Sequence, residues 1–231
     1  MIFEQLFDIK SSTYTYIISS GKGREALIID PVIENTDRYI KVLTNLDLKL
    51  VKVIDTHIHA DHISGLNELS KRTKCSKIMG EQSSSEVLDI RVKDNEKIKI
   101  ENIELISMYT PGHTDCSYSF LMNDRVFTGD ILLINSTGRT DFQNGSSHDA
   151  YHSLFKKLLK LPEKTLVYPA HDYNGKKYST IENEKNNNPR LQVKSAEEYA
   201  EIMDNLNLEN PEMMDIAVPA NIKGFTLNQI N

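Results

Sequence analysis

The sequence predicts an α/β (α+β) protein in which two mixed β-sheets pack together and helices cover their outer faces, an αββα sandwich. Three observations lead to this fold class. The chain divides into two halves, and in each half strands are followed by helices. No linker separates the halves, and 231 residues can bury a substantial core. We therefore expect residues 1–231 to form a single domain.

The first half opens with strand patterns rich in β-branched and aromatic residues and continues with amphipathic helices. Its predicted strands are 3–8, 12–19, 25–31, 50–54, 76–79, 98–100 and 103–108. Its predicted helices are 37–46 and 66–74. The polar stretch 80–94 is expected to be a loop with a helical turn.

The second half repeats this order. Its predicted strands are 118–122, 125–128 and 165–168, and its predicted helices are 148–161, 179–185 and 195–206. The helix at 148–161 has the clearest pattern, because its apolar side chains form one stripe. The tail from 207 onward contains Pro211 and Pro219 and is expected to be irregular.

Composition and charge exclude several classes of protein. The net charge of −6 gives no overall basic surface for a nucleic acid. Cys75 and Cys116 are too few for a disulfide framework, which favours a reducing compartment. The first eight residues carry acids where a targeting peptide would be basic, and no apolar run approaches the ~20 residues of a membrane span. We expect a cytoplasmic protein, or a processed mitochondrial matrix protein if the source is eukaryotic.

The stretch 55–62, Asp-Thr-His-Ile-His-Ala-Asp-His, holds three imidazoles and two carboxylates in eight residues. It follows the buried strand 50–54 and precedes the helix 66–74, so its side chains are expected to meet at a cleft. Imidazole and carboxylate together suit Zn, Fe(II) or Mn better than Ca or Mg. This loop therefore predicts a metal site.

Three more ligand-type residues lie where a predicted strand meets a loop: His113, Asp130 and His171. Gly112 and Gly129 come directly before two of them and allow backbone turns that would aim their neighbours inward. His148 and His152 lie on a helix outside this pattern, and we expect them to be surface or capping residues.

The His-x-His-x-Asp-His pattern at 57–62 resembles the signature of the metallo-β-lactamase superfamily, whose members have the αββα fold and carry metal on this loop. Three further stretches resemble the persulfide dioxygenases of that superfamily: Gly-Arg-Thr-Asp-Phe at 138–142, His-Asp-Tyr at 171–173 and Val-Pro-Ala-Asn at 218–221. The resemblance runs along nearly the whole chain. One departure is Thr137, since many members of the family carry Cys there.

The resemblance implies one non-haem Fe(II) per chain, held by His57, His113 and Asp130 with positions left open for substrate and O₂. It also implies that the substrate is a thiol persulfide such as glutathione persulfide, which is oxidised to sulfite and free thiol, and that Tyr173 reaches the iron-bound ligand or the substrate. Arg139 is expected to bind the substrate, because its planar guanidinium suits a carboxylate of a glutathione-like thiol. The alternative for Arg139 is a structural ion pair with Asp141. The remaining ligand-type residues would orient the ligands or bind a second ion: His59, Asp61, His62 and His171.

Two other functions remain open from the sequence. A dinuclear hydrolase of the glyoxalase II type shares the ligand residues but lacks the Gly-Arg-Thr-Asp-Phe pattern. A non-catalytic metal-binding persulfide sensor would bind metal without consuming O₂. A nuclease of the same superfamily is disfavoured by the acidic charge. The expected partners are small molecules, with neither nucleic acid nor membrane, and the family resemblance leaves a homodimer open.

Overall fold

The structure is a computed structural model that describes residues 1–230. Its first sheet consists of β1 Ile2–Asp8, β2 Thr13–Ser19, β3 Glu25–Ile29, β4 Lys49–Ile54, β5 Ser76–Gly80 and β6 Ile90–Val92. Its second sheet consists of β7 Lys97–Ile100, β8 Ile103–Tyr109, β9 Tyr118–Met122, β10 Arg125–Gly129, β11 Leu166–Pro169 and β12 Ser179–Thr180. The α-helices are α1 Thr36–Asn45, α2 Leu66–Thr73, α3 Ser147–His152, α4 Ile181–Asn187, α5 Ala196–Asp204, α6 Met214–Lys223 and α7 Leu227–Ile230.

Both sheets are mixed, as the sequence predicted. The first has the order β1-β2-β3-β4-β5-β6, antiparallel as far as β3 and parallel from β3 to β6. The second has the order β12-β11-β10-β9-β8-β7, in which β10 and β11 are the parallel pair. Parallel neighbours end at the same edge of a sheet, so the loops after β3 and β4 leave one edge of the first sheet, and those after β10 and β11 leave one edge of the second.

The two sheets share one core, which is dominated by aromatic side chains. Tyr16 and Tyr168 meet edge to face with ring centroids 5.6 Å apart, and Phe127 lies 4.9 Å from Tyr16. Separate apolar clusters bind α1 and α2 to the first sheet, and α3 and α5 to the second. Helices therefore cover the two outer faces, and the predicted αββα sandwich is confirmed. The single-domain organisation over 1–231 stays a prediction.

Four sequence predictions of local structure are wrong in part. The helix predicted at 179–185 begins with the strand β12, which pairs antiparallel with β11. The stretch 80–94 contains the short strand β6, which pairs parallel with β5, instead of a helical turn. The helix predicted at 148–161 changes register, with a π turn at Ser153–Lys157 and a 3₁₀ turn at Leu158–Lys160 after α3. The tail is helical over α6 despite Pro219, because α6 buries Ala217 and Ala220 in an apolar cluster with Ile33. A helix-breaking residue is tolerated there because tertiary burial outweighs local preference.

Across residues 1–230, every helix is too short or too polar to cross a membrane.

Candidate metal centre

The loop after β4 carries His57, whose ring is held by a chain of hydrogen bonds. Asp30, at the end of β3, accepts from the backbone N–H of Thr56 at 2.7 Å and from its hydroxyl at 3.0 Å. The Thr56 hydroxyl proton is thereby used, so its oxygen accepts from His57 Nδ1–H at 2.9 Å. This tautomer leaves the lone pair of His57 Nε2 free for a metal.

Asp130 and His113 are aimed by the two glycines singled out from the sequence. Gly129 has φ +53°, and a Cβ there would lie 2.7 Å from Thr56 Oγ1. Gly112 has φ +136°, and a Cβ there would lie 2.3 Å from the backbone of Ala150 in α3. Close packing and left-handed backbone together require glycine at both positions. The turns they permit bring residues of the second sheet to the loop of the first.

His57, His113 and Asp130 form one group whose ligand atoms all lie within 4.8 Å of one another. Asp130 Oδ2 is 3.9 Å from His57 Nε2 and 3.6 Å from His113 Nε2. His113 Nδ1 is 2.7 Å from the carbonyl oxygen of Arg139, to which it donates, so its Nε2 lone pair also faces the group. The predicted facial triad is therefore brought together from three different loops.

This group suits a divalent transition metal. Two imidazole nitrogens and a carboxylate on one side of a site form the donor set of non-haem Fe(II) centres, and Zn accepts the same donors. Asp130 Oδ1 is buried and has no hydrogen-bond partner among residues 1–230. An unpaired buried carboxylate oxygen is costly, and a cation beside it would remove that cost. Burial and the neighbouring imidazoles hold the pKa of His57 well below its usual range, which keeps it neutral as a ligand must be.

The second predicted group, His59, Asp61, His62 and His171, lies beside the first. His59, Asp61 and His62 also place their ligand atoms within 4.8 Å of one another. His171 Nε2 joins the two groups, at 3.4 Å from Asp61 Oδ2 and 3.5 Å from Asp130 Oδ2. The arrangement is compatible with both roles left open by the sequence, orientation of the first ligands or capture of a second ion.

Charges within this second group are paired. His59 Nε2 lies 3.2 Å from Asp30 Oδ1; burial alone would lower the pKa of His59, but the Asp30 carboxylate outweighs it and raises the pKa to about 10. Asp61 Oδ2 lies 2.9 Å from His62 Nδ1. Burial alone would raise the pKa of Asp61, but His62 and His171 hold it well below its usual range. His59 and His62 thus each lie within hydrogen-bond distance of a carboxylate.

A cavity of about 500 Å³ opens over the first group and is large enough for a small molecule. Its lining includes His57, His113, Asp130 and His171, the two predicted substrate residues Arg139 and Tyr173, and Arg190. The Tyr173 ring lies parallel to the His171 ring, with centroids 6.1 Å apart, and is 74% exposed. All the predicted site residues except His59 and His62 therefore line this one cavity.

Arg139 reaches the cavity wall with most of its N–H groups engaged. It forms the ion pair with Asp141 that the sequence left open as an alternative, with two N–O distances of 2.7 Å. Arg190, in the same wall, is half-buried and donates to the Thr137 carbonyl. Within the described residues no acidic side chain pairs with Arg190.

Sequence reasoning missed two residues that support the centre. Asp30 follows a buried strand, as Asp130 does, and that position was the signal that could have identified it. Asn221 donates to the backbone carbonyls of His59 and His62, each at 2.9 Å. Only its place in the Val-Pro-Ala-Asn stretch marked it in the sequence. His148 and His152 lie on α3 outside the lining of the cavity, as predicted.

The fold and the ligand geometry agree with a sequence profile. The profile of the metallo-β-lactamase superfamily matches residues 9–171, which include every candidate metal ligand. The chain therefore belongs to the metallo-β-lactamase superfamily.

Individual relatives show to which family within the superfamily the chain belongs. The mitochondrial persulfide dioxygenase ETHE1 of Mus musculus is 42% identical over 226 residues, which cover 96% of this chain and 88% of the relative. The crystal structure of ETHE1 from Myxococcus xanthus has a TM-score of 0.94 and 47% identity, covering 96% of this chain and 98% of that one. A hydroxyacylglutathione hydrolase of Dictyostelium discoideum is 30% identical over 192 residues, covering 78% of this chain and 70% of the relative. Within the superfamily, the chain is a member of the persulfide dioxygenase family, and the prediction of an oxidoreductase is confirmed.

Proposed function

We propose that this protein oxidises a low-molecular-weight thiol persulfide, such as glutathione persulfide, with O₂. The balanced reaction is RSS⁻ + O₂ + H₂O → RSH + SO₃²⁻ + H⁺. The terminal sulfur is oxidised and O₂ is reduced, and water cleaves the S–S bond so that the thiol leaves with a proton. The observation that carries the proposal is the His57–His113–Asp130 group at the floor of a cavity, in a chain of the persulfide dioxygenase family.

Within this proposal, His57 Nε2, His113 Nε2 and Asp130 hold one Fe(II) per chain. The iron supplies redox chemistry between a soft sulfur ligand and O₂, which redox-inert Zn does not supply. The Nδ1–H groups of His57 and His113 donate to Thr56 and to the Arg139 carbonyl, which turns Nε2 of each ring toward the site. The protein thus fixes the ring orientation before a metal arrives.

The remaining residues orient the substrate and the ligands. We propose that the Tyr173 hydroxyl donates a hydrogen bond to the persulfide or to the thiol that carries it. The exposed Tyr173 ring lies parallel to the His171 ring at the edge of the cavity. Arg190 gives the wall positive charge, and Arg139, although paired with Asp141, keeps one N–H to donate. Both features suit the carboxylates of a glutathione-like thiol. His59, Asp61, His62 and His171 hold the ligand loop in place through their paired charges.

A second candidate, a dinuclear thioester hydrolase of the glyoxalase II type, is favoured by one observation. His59, Asp61 and His62 form a second group of ligand type beside the first. In that reaction the two groups would hold two metal ions, which would supply hydrolytic chemistry toward a glutathione thioester. A non-catalytic persulfide sensor is the third reading and requires metal without turnover.

One set of assays separates the three. Protein purified anaerobically is analysed for metal, loaded with Fe(II), and tested in an oxygen electrode with glutathione persulfide and, in parallel, with a glutathione thioester. We expect one iron per chain and O₂ uptake equal to the sulfite formed, without thioester cleavage. Thioester cleavage with two metals per chain would establish the hydrolase instead. Stoichiometric metal with neither reaction would establish the sensor.

A further inference from the structure

Helix α6 lies outside the part of the chain that the superfamily profile matches, yet its Asn221 contacts the metal loop directly. The Asn221 side chain forms hydrogen bonds with three backbone groups of that loop. The amide nitrogen donates to the carbonyls of His59 and His62, both at 2.9 Å, and the amide oxygen accepts from the N–H of Ser64 at 2.7 Å. Both N–H groups and the oxygen of the amide are therefore engaged.

The three bonded groups belong to the segment that carries His59, Asp61 and His62. The carbonyls of His59 and His62 stand three residues apart, so a single amide that binds both fixes the turn between them. Asp61 lies on this turn, and its carboxylate lies 3.4 Å from His171, which in turn lies 3.5 Å from Asp130. A displacement of the turn would therefore move Asp61, and through His171 it would change the position of the proposed ligand Asp130.

Helix α6 is itself anchored, so it can hold Asn221 in place. Ala217 and Ala220 are buried against Ile33 and Ile63. The carbonyl of Ile222 accepts from the backbone N–H of Glu86 at 2.8 Å. The end of the loop is fixed separately, because Ile33 N–H donates to the carbonyl of Ile63 at 2.9 Å. Asn221 thus fixes the middle of the loop and backbone pairing fixes its end.

We propose that Asn221 is a positioning residue for the metal centre, which acts by fixing the backbone of residues 59–64. This inference rests on the proposed metal site but not on the identity of the reaction. Asn221 is absent from the lining of the cavity, so we expect it not to contact the substrate. Loss of Asn221 should therefore weaken metal binding and turnover and leave substrate binding unchanged.

The test compares Asn221→Asp with Asn228→Asp. In Asn221→Asp the Ser64 N–H keeps an acceptor, but a carboxylate oxygen replaces the donor that faces two carbonyls. Asn228 is an exposed residue of α7 and serves as the matched control. Metal-free proteins are titrated with Co²⁺ against a chelator, the visible Co²⁺ absorption is recorded, and kcat and KM are measured after Fe(II) loading.

We expect Asn221→Asp to lose at least about tenfold in Co²⁺ affinity and to change the Co²⁺ spectrum. Its kcat should fall while its KM stays within twofold of the original, and Asn228→Asp should match the unmodified protein throughout. Unchanged Co²⁺ affinity and spectrum in Asn221→Asp would overturn the proposal, even if the variant unfolds at a lower temperature. Absence of O₂ uptake by the unmodified protein would overturn the proposed function and leave the Co²⁺ result valid.

Asn221→Ser provides a smaller change if the Asp variant does not fold. Hydrogen exchange of the unmodified, metal-free protein gives a check that needs no variant. The Ser64 amide should be protected, because its acceptor is the Asn221 side chain. Exchange of that amide at the rate of an unstructured peptide would overturn the proposal.

Discussion

Arg139 and Asp141 form a bidentate ion pair in the wall of the cavity, with Nε–Oδ1 and Nη2–Oδ2 distances of 2.7 Å. The same guanidinium donates to the carbonyl of Glu209 at 2.7 Å and lies 3.9 Å from the centre of the Phe142 ring. These contacts join the loop after β10 to the segment before α6. Arg139 therefore has both a proposed substrate role and a visible structural one, and the two can be separated.

Arg139→Ala should raise KM for glutathione persulfide about tenfold and change kcat little, since a charge-assisted hydrogen bond contributes about 1.5–3 kcal/mol. Steady-state oxygen uptake measures both constants. Asp141→Asn is the control, because it breaks the ion pair but keeps the cation. If Asp141→Asn raises KM as much as Arg139→Ala does, the ion pair acts by holding the wall. An unchanged KM in Arg139→Ala would leave that residue with a structural role alone.

His113→Ala should abolish metal binding and turnover together, because it removes one of three ligands to the proposed ion. We expect metal affinity to fall by more than about 100-fold, beyond the loss typical of a residue that only supports a ligand. Elemental analysis and O₂ uptake on the same sample check this. His148→Ala, on α3, is the matched control and should retain both. Full iron occupancy in His113→Ala would refute the triad.

Gly129→Ala should destabilise the fold by about 3 kcal/mol, because the new Cβ meets Thr56 in addition to the cost of a positive φ. Thr56 cannot move freely, since its hydroxyl bonds to Asp30 and His57. Gly175→Ala is the control: its φ of +76° carries the same backbone cost, but nothing lies within 4 Å of the added Cβ. Chemical denaturation should show a loss of only about 1 kcal/mol there. Equal losses would mean that the close approach to Thr56 is unimportant.

Tyr173→Phe should lower kcat/KM for the persulfide about three- to tenfold, because it removes the hydroxyl and keeps the ring beside His171. Tyr173→Ala should cost more, since it also removes the parallel ring contact. Tyr178→Phe is the control, because Tyr178 is exposed but packs on Tyr168 away from the cavity lining. Kinetics indistinguishable among the unmodified protein and both Tyr173 variants would remove Tyr173 from the substrate site.

Much of this fold follows from sequence periodicity, because the strands are buried and rich in β-branched residues. The strands of the hairpins β7–β8 and β9–β10 were predicted to within one residue of their observed bounds. The strand β6 was not predicted, since its three residues gain order only by pairing with β5. Helix α6 was not predicted either, because Pro219 is an unfavourable local signal that burial of its neighbours overrides.

The candidate metal centre was likewise predicted only in part. The metal loop could be identified from the sequence because its ligand-type residues are dense and lie next to a strand. Asp30 and Asn221 could not be connected with it, since they lie about 30 and 160 residues away from it along the chain and act through backbone and ring hydrogen bonds. Such contacts leave no spacing pattern, and only the folded arrangement shows them.

The proposed ligands come from both sheets: His57 follows β4 of the first, and His113 and Asp130 follow β8 and β10 of the second. An ion held by all three would cross-link the layers of the sandwich and tie together chain segments that are 73 residues apart. Its binding energy would then oppose movement of one layer relative to the other, and the supply of that ion would help to determine what fraction of the molecules is folded.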